Sequence, residues 1–206
     1  MIKHIVFDLS EVLIPGLIGV EDKLEEKTHI SKNNIAKALG SYPYYVKGNI
    51  LDQLLKGELS YSDYRSLFLS EIGLSVEHEQ LFDSTCLSMF DSAYDYTNDL
   101  LKELSKNFNL YLLSDHCMIW VPYILERHKF LSLFKGLMWS YEIGETKKSI
   151  KPFEEAIKKF QLSPEDSLFI DDNKDNIKNA RSLGFNTVLF KGKKSIEEIY
   201  RTLQDD

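Results

Sequence analysis

Cysteine is scarce in this 206-residue chain: Cys86 and Cys117 are the only two, both in apolar stretches and without metal-ligand spacing. That argues against a disulfide framework or a thiolate zinc site and predicts two buried free thiols. No window approaches the run of about 18 apolar residues that a membrane-spanning helix needs. No basic segment precedes a long apolar run near the N-terminus and no small-residue cleavage site follows, so a cytoplasmic protein without a secretory leader is expected. Positive charge is also in deficit. Against 32 Asp and Glu there are 25 Lys and Arg, giving a formal net charge of −7 and a pI of about 5.3. Such a surface repels phosphate backbones, so neither nucleic acid nor membrane is an expected partner. Internal repeats and low-complexity tracts are missing too.

What is present suffices for a packed core. Hydrophobic residues make up 43% and charged residues 28%, which fits one large domain, or one domain with a smaller insert, and not a disordered chain. Short β-branched or apolar runs occur at Ile2 to Phe7, Leu110 to Leu113, Leu137 to Trp139, Leu168 to Ile170 and Thr187 to Phe190. Helical periodicity fills Asn98 to Lys106, Phe153 to Phe160 and Asn176 to Leu183 between the later runs. Alternating strands and helices predict βαβ units and a parallel sheet, the α/β class. From about Pro15 to Asp95 the pattern changes: strand alternation disappears, Ser31, Ser60 and Ser75 stand as helix starts, and glycines punctuate the segment. This predicts a small helical bundle inserted after the first strand. An amphipathic closing helix is expected over Ser195 to Asp206.

In open parallel sheets, chemistry collects at the carboxyl ends of the strands. Asp8 follows the first run, Ser114 the second, and Asp171 with Asp172 the fourth. A carboxylate closing an apolar strand is costly if buried without a counter-charge, so Asp8 demands a function more strongly than an acidic turn would. Asp8, Asp171, Asp172 and Asp175 offer clustered hard oxygens, a donor set suited to Mg²⁺ and not to zinc.

The order Asp8-Leu9-Ser10-Glu11-Val12-Leu13, then Leu113-Ser114-Asp115, then Lys151-Pro152, then Ile170-Asp171-Asp172-Asn173-Lys174-Asp175 resembles the four signature motifs of the haloacid dehalogenase-like (HAD) hydrolases. The likeness runs from Ile2 to Lys191. It implies a Rossmann-like parallel sheet flanked by helices, built from residues 1–14 and 96–206, with a small inserted helical cap at 15–95. It implies Asp8 as a carboxylate nucleophile acting on a small phosphorylated substrate through an aspartyl phosphate. It also implies Mg²⁺ held by Asp8, the Ser10 carbonyl and Asp171, with Asp172 and Asp175 in support. Ser114, Ser10, Asp115 and Lys151 are the implied substrate contacts, with Lys151 balancing the charge. A lysine before proline is held in extended backbone, which fixes its direction.

Two positions depart from the pattern. Ser10 stands where many family phosphatases carry an aspartate that acts as general acid and base. A positioned acid or base is worth about 10²–10⁴ in rate. Glycine takes that place in sugar phosphatases similar to bacterial glucose-1-phosphatases, a subgroup that Gly57-Glu58-Leu59-Ser60 and Asp171-Asp172-Asn173 resemble. A sugar phosphate is therefore one candidate substrate. A weakly active or non-catalytic module that binds a phosphate ligand or a protein is the alternative. A 2-haloacid dehalogenase is a lesser one: those enzymes usually carry tyrosine at the Ser10 position and use a cap arginine, and Arg65 is the one arginine in the insert. Asp115, where the family often has asparagine, favours a hydroxyl-rich ligand or a greater need for metal. Tyr42, Tyr44 and Tyr45 suit either a substrate entrance or packing between cap helices. His116 reads as a packing residue at a helix start.

Overall fold

The computed structural model describes residues 1–204. Five parallel strands, β1 (His4–Phe7), β2 (Asn109–Ser114), β3 (Gly136–Trp139), β4 (Ser167–Asp171) and β5 (Asn186–Leu189), form one sheet in the order β3-β2-β1-β4-β5. They are short and rich in Val, Ile, Leu and Phe because both faces of the sheet are covered. Ile5 and Phe7 belong to one apolar cluster and Val6 to the other; Leu168 and Ile170 likewise face away from Phe169. One face packs against α6 (Thr97–Leu104), α7 (Trp120–Arg127) and α11 (Ser195–Gln204), through Leu100, Leu101, Leu104, Ile124 and Ile199. The other carries α9 (Lys151–Phe160) and α10 (Lys174–Ser182) through Phe153, Ala156, Ile177 and Ala180. A short helix α8 (Ser140–Ile143) follows β3 directly. The expected closing helix is present as far as Gln204; residues 205 and 206 lie outside the described residues.

Five helices precede α6 in the stretch between β1 and β2: α1 (Val20–Thr28), α2 (Lys32–Leu39), α3 (Ile50–Lys56), α4 (Tyr61–Glu71) and α5 (Glu79–Ser88). Ser31 caps α2 by position, and Ser60 caps α4 by accepting a hydrogen bond from Asp63 N at 3.1 Å. At Ser75 a 3₁₀ turn over Val76–His78 comes first and runs into α5. Helices α1 and α3 had no clear start signal: Gly19 precedes α1 without a side-chain cap, and Asn49 supplies the cap of α3. The insert is no separate globule. Its core, with Phe68 stacked on Phe82 at 4.6 Å, is continuous with the apolar cluster on one face of the sheet. Cys86 and Cys117 are buried free thiols, as expected. Among the described residues no helix is long and apolar enough to cross a membrane.

Topology puts β1 at the centre, with β2 on one side and β4 on the other. Phe7 is level with Leu112 and with Ile170, and Asp8 N donates to Ile170 O at 2.9 Å. The residues that leave these three strands therefore share one edge of the sheet.

Candidate active site

Asp8 is buried, and three donors converge on its Oδ1: Leu9 N at 2.7 Å, Ser114 Oγ at 2.8 Å and Lys147 Nζ at 2.8 Å. None of the three uses Oδ2. The chain leaves β1 in a tight turn, with Leu13 N and Ile14 N both donating to Leu9 O and Glu11 at φ 60°. That turn presents the Asp8 side chain and the Ser10 hydroxyl to a cavity of about 180 Å³, also lined by Ser114, Asp115, Lys147 and Asp172.

Asp171 ends β4, wholly buried. Its Oδ1 accepts from Asn173 N at 2.8 Å, its Oδ2 from Lys147 Nζ at 2.7 Å, and Asn176 Nδ2 lies 3.1 Å from both oxygens. Carboxylate oxygens of Asp8, Asp171 and Asp172 lie within 4.8 Å of one another. Three carboxylates around one lysine leave an excess of negative charge, and every donor is a hard oxygen, so the set fits a divalent ion of the Mg²⁺ type. The protonation equilibria carry the same signature. Burial pushes the Asp172 carboxyl up to about 7, helped by the charges of Asp8 and Asp171; burial also raises Asp115 to about 7 and shifts Asp171 upward, against the pull of Lys147.

These shifts set a pH dependence. Each of these carboxyls holds its proton above the unfolded value of 3.8. Its contribution to stability is therefore present at low pH and lost as pH rises through the folded value, over roughly pH 4 to 7. A cation takes only the deprotonated oxygens, so its stabilising increment grows over the same window. The rise in melting temperature caused by millimolar Mg²⁺ is expected to be small at pH 5 and largest at pH 8. A pH-independent shift would remove the carboxylate cluster as the binding site.

The structure brings together Asp8, Ser10, Ser114, Asp115, Asp171 and Asp172, but neither Lys151 nor Asp175. Lys151 opens α9 in helical and not extended backbone. Its Nζ donates to Ile143 O at 3.2 Å on the exterior. Helical periodicity is the reason: α9 buries Phe153, and a residue two positions earlier points about 200° away from it. Asp175 fails for a similar reason. Asn173 caps α10, accepting from Asp175 N at 2.8 Å, and one residue further on it is Asn176 that turns toward Asp171 while Asp175 stays exposed.

Lys147 occupies the place expected of Lys151. It lies in the turn between α8 and α9, and that turn is pinned from three sides. Lys147 N donates to both Asp115 oxygens at 3.2 Å, Asn179 Nδ2 donates to Lys147 O at 3.0 Å, and Thr146 Oγ1 donates to Asp52 Oδ1 at 2.9 Å. Asp52 belongs to α3, so an acid buried in the insert holds the turn that carries the lysine. Neighbouring carboxylates raise the Lys147 ammonium above its ordinary range despite burial, which opposes the shift.

His116 is boxed by Phe90, Trp120 and Trp139, and its Nε2 lies 3.1 Å from Ser10 Oγ. Burial, assisted by Lys147, pushes its pKa down to about 3, so the ring is neutral. Nδ1 is buried without a hydrogen-bond partner. The tautomer with the proton on Nε2 would donate to Ser10 Oγ and leave the serine hydroxyl free to donate into the cavity. His116 is thus both the packing residue expected and a partner of Ser10. Of the tyrosines, Tyr42 and Tyr45 line the cavity, while Tyr44 donates to Asn33 Oδ1 at 2.7 Å. Arg65 does not line the cavity; it pairs with Glu79 and Asp83 of α5.

Comparison with known proteins places this geometry in context. A family profile described as haloacid dehalogenase-like hydrolase matches residues 2–184. The chain is 28% identical over 193 residues to a D-ribitol-5-phosphate phosphatase of Bacteroides thetaiotaomicron, covering 91% of each sequence. It superposes with a TM-score of 0.80 on a predicted HAD-like family hydrolase from Porphyromonas gingivalis, 27% identical and covering 100% of both chains. A second structure is a HAD family enzyme from B. thetaiotaomicron in complex with magnesium and inorganic phosphate. It matches with a TM-score of 0.76 at 23% identity, over 98% of this chain and 100% of that one.

Proposed function

The chain belongs to the haloacid dehalogenase-like hydrolases, and we propose that it is a Mg²⁺-dependent phosphomonoester hydrolase acting on a small, hydroxyl-rich phosphate. The observation that carries this is Asp8: one oxygen is locked by Leu9 N, Ser114 and Lys147 while two further carboxylates stand alongside. A carboxylate so oriented is a nucleophile ready to form an acyl phosphate. Asp8 attacks phosphorus, the ester oxygen departs with the bonding pair, and water then cleaves the aspartyl phosphate to give inorganic phosphate and regenerate Asp8. Lys147 and the Ser114 hydroxyl offset the charge that builds on the phosphoryl oxygens. Asp8, Asp171 and Asp172 would hold Mg²⁺, with the Ser10 carbonyl in support; when bound, the ion neutralises the repulsion between carboxylate and phosphate dianion.

Ser10 cannot protonate the leaving oxygen as a carboxylic acid would. Its hydroxyl, next to His116 Nε2, is placed to donate a hydrogen bond to that oxygen instead. The cavity of about 180 Å³ falls below the roughly 300–1,000 Å³ of pockets for drug-sized ligands, which favours a small substrate over a nucleotide. The relative named for D-ribitol 5-phosphate supports a polyol or sugar phosphate. The pairing of Arg65 outside the cavity weighs against 2-haloacids. A panel of polyol and sugar monophosphates assayed with and without Mg²⁺ is the test. Phosphate release is expected only with the metal. Tight binding of phosphate with no turnover on any ester would make the protein a binding module instead.

A further inference from the structure

The cavity holds one acid that neither the fold nor the proposed chemistry uses. Glu21 lies in the first turn of α1 and lines the cavity beside Asp8, Tyr42 and Tyr45. An acid in a first helical turn is favoured by the helix dipole, and that accounts for its type. It does not account for Oε2, which is shut off from solvent and has no hydrogen-bond partner among the described residues. A stranded buried acceptor is costly unless something arrives to donate to it. Of the other cavity acids, Asp8 and Asp172 belong to the carboxylate cluster, Glu11 accepts from Gly16 N at 2.8 Å and Tyr94 Oη at 3.0 Å, and Asp115 accepts from Lys147 N. Lys147 is the one charged cation in the lining, since His116 is neutral, and it is already shared by Asp8 and Asp171.

We infer that Glu21 reads the organic part of the substrate by accepting a hydrogen bond from one of its hydroxyl groups, which makes the substrate a monophosphate of a neutral polyhydroxyl compound. A second anionic group would meet Glu21 with no cation to offset it, so phosphorylated acids and bisphosphates are rejected. The inference rests on the phosphatase reading above, and the experiment separates the two.

The measurement is kcat/KM for glycerol 1-phosphate, n-propyl phosphate and 3-phosphoglycerate, with Mg²⁺, for the wild type, Glu21→Ala and Glu21→Gln. The wild type is expected to prefer glycerol 1-phosphate over n-propyl phosphate by about 10- to 100-fold, the worth of a hydrogen bond to a charged acceptor. Phosphoglycerate should be its poorest substrate. Glu21→Ala should collapse the first ratio toward unity and narrow the discrimination against phosphoglycerate. Glu21→Gln, which keeps the shape and one acceptor, should fall between. Melting curves establish that both variants fold. An unchanged ratio in both variants overturns the role of Glu21 and leaves the phosphatase reading standing. Absence of turnover on all three esters by the wild type overturns both.

Discussion

Asp8→Asn is expected to lower Mg²⁺-dependent phosphate release by at least about 10³-fold, because the amide cannot form the acyl phosphate and no other cavity carboxylate is held by the donors that orient Asp8. The variant is close to isosteric, and the donors at Oδ1, Leu9 N, Ser114 and Lys147, retain an oxygen acceptor to bind. Its folding should therefore be preserved. Single-turnover assays at saturating ester, with circular dichroism as the control for folding, read the effect. A residual rate within tenfold of the wild type would show that the carboxylate is not the attacking group.

The second large effect separates two lysines that lie four residues apart. Lys147→Met is expected to cost about 10²–10³-fold in kcat, the scale seen when one preorganised donor is removed from a developing charge. Lys151→Ala should change the rate within about twofold, as surface substitutions do. Stability should divide the same way. The Lys147 ammonium is buried and bonded to Asp8 and Asp171, and removing one partner of a buried pair costs on the order of 3–5 kcal/mol. Metal-free Lys147→Met should accordingly melt well below the wild type, and Mg²⁺ should recover part of the loss by supplying positive charge to the same oxygens. Lys151 bonds only to a carbonyl at the exterior, so its loss should leave the melting temperature nearly unchanged. The reverse pattern, with Lys151→Ala inactive and Lys147→Met active, would require a different arrangement of the turn between α8 and α9.

Those two lysines show how far the chain can be read before it folds. Strand runs and their polar terminal residues are local properties: a parallel strand buried on both faces is a short apolar run, and the residue that ends it lies at the sheet edge by construction. Asp8, Ser114 and Asp171 were legible for that reason, and so was the α/β class. The helical insert was legible from lost alternation and capping serines. The helices with weak start signals, α1 and α3, were not; these carry Glu21, which faces the cavity, and Asp52, which pins the lysine turn.

Amino-acid order alone therefore determined the class of fold and the carboxylate edge, because each follows from periodicity within a few neighbouring residues. Tertiary structure alone decided which lysine meets Asp8 and Asp171, that Asn176 and not Asp175 turns inward, that His116 contacts Ser10, and that Glu21 lines the cavity with an unpaired oxygen. Each of those depends on the direction a side chain takes once a helix has begun at a particular residue, and on contacts with segments tens of residues distant. Shifting a helix start by one residue rotates every side chain after it by about 100°, and no local pattern in the chain sets that angle.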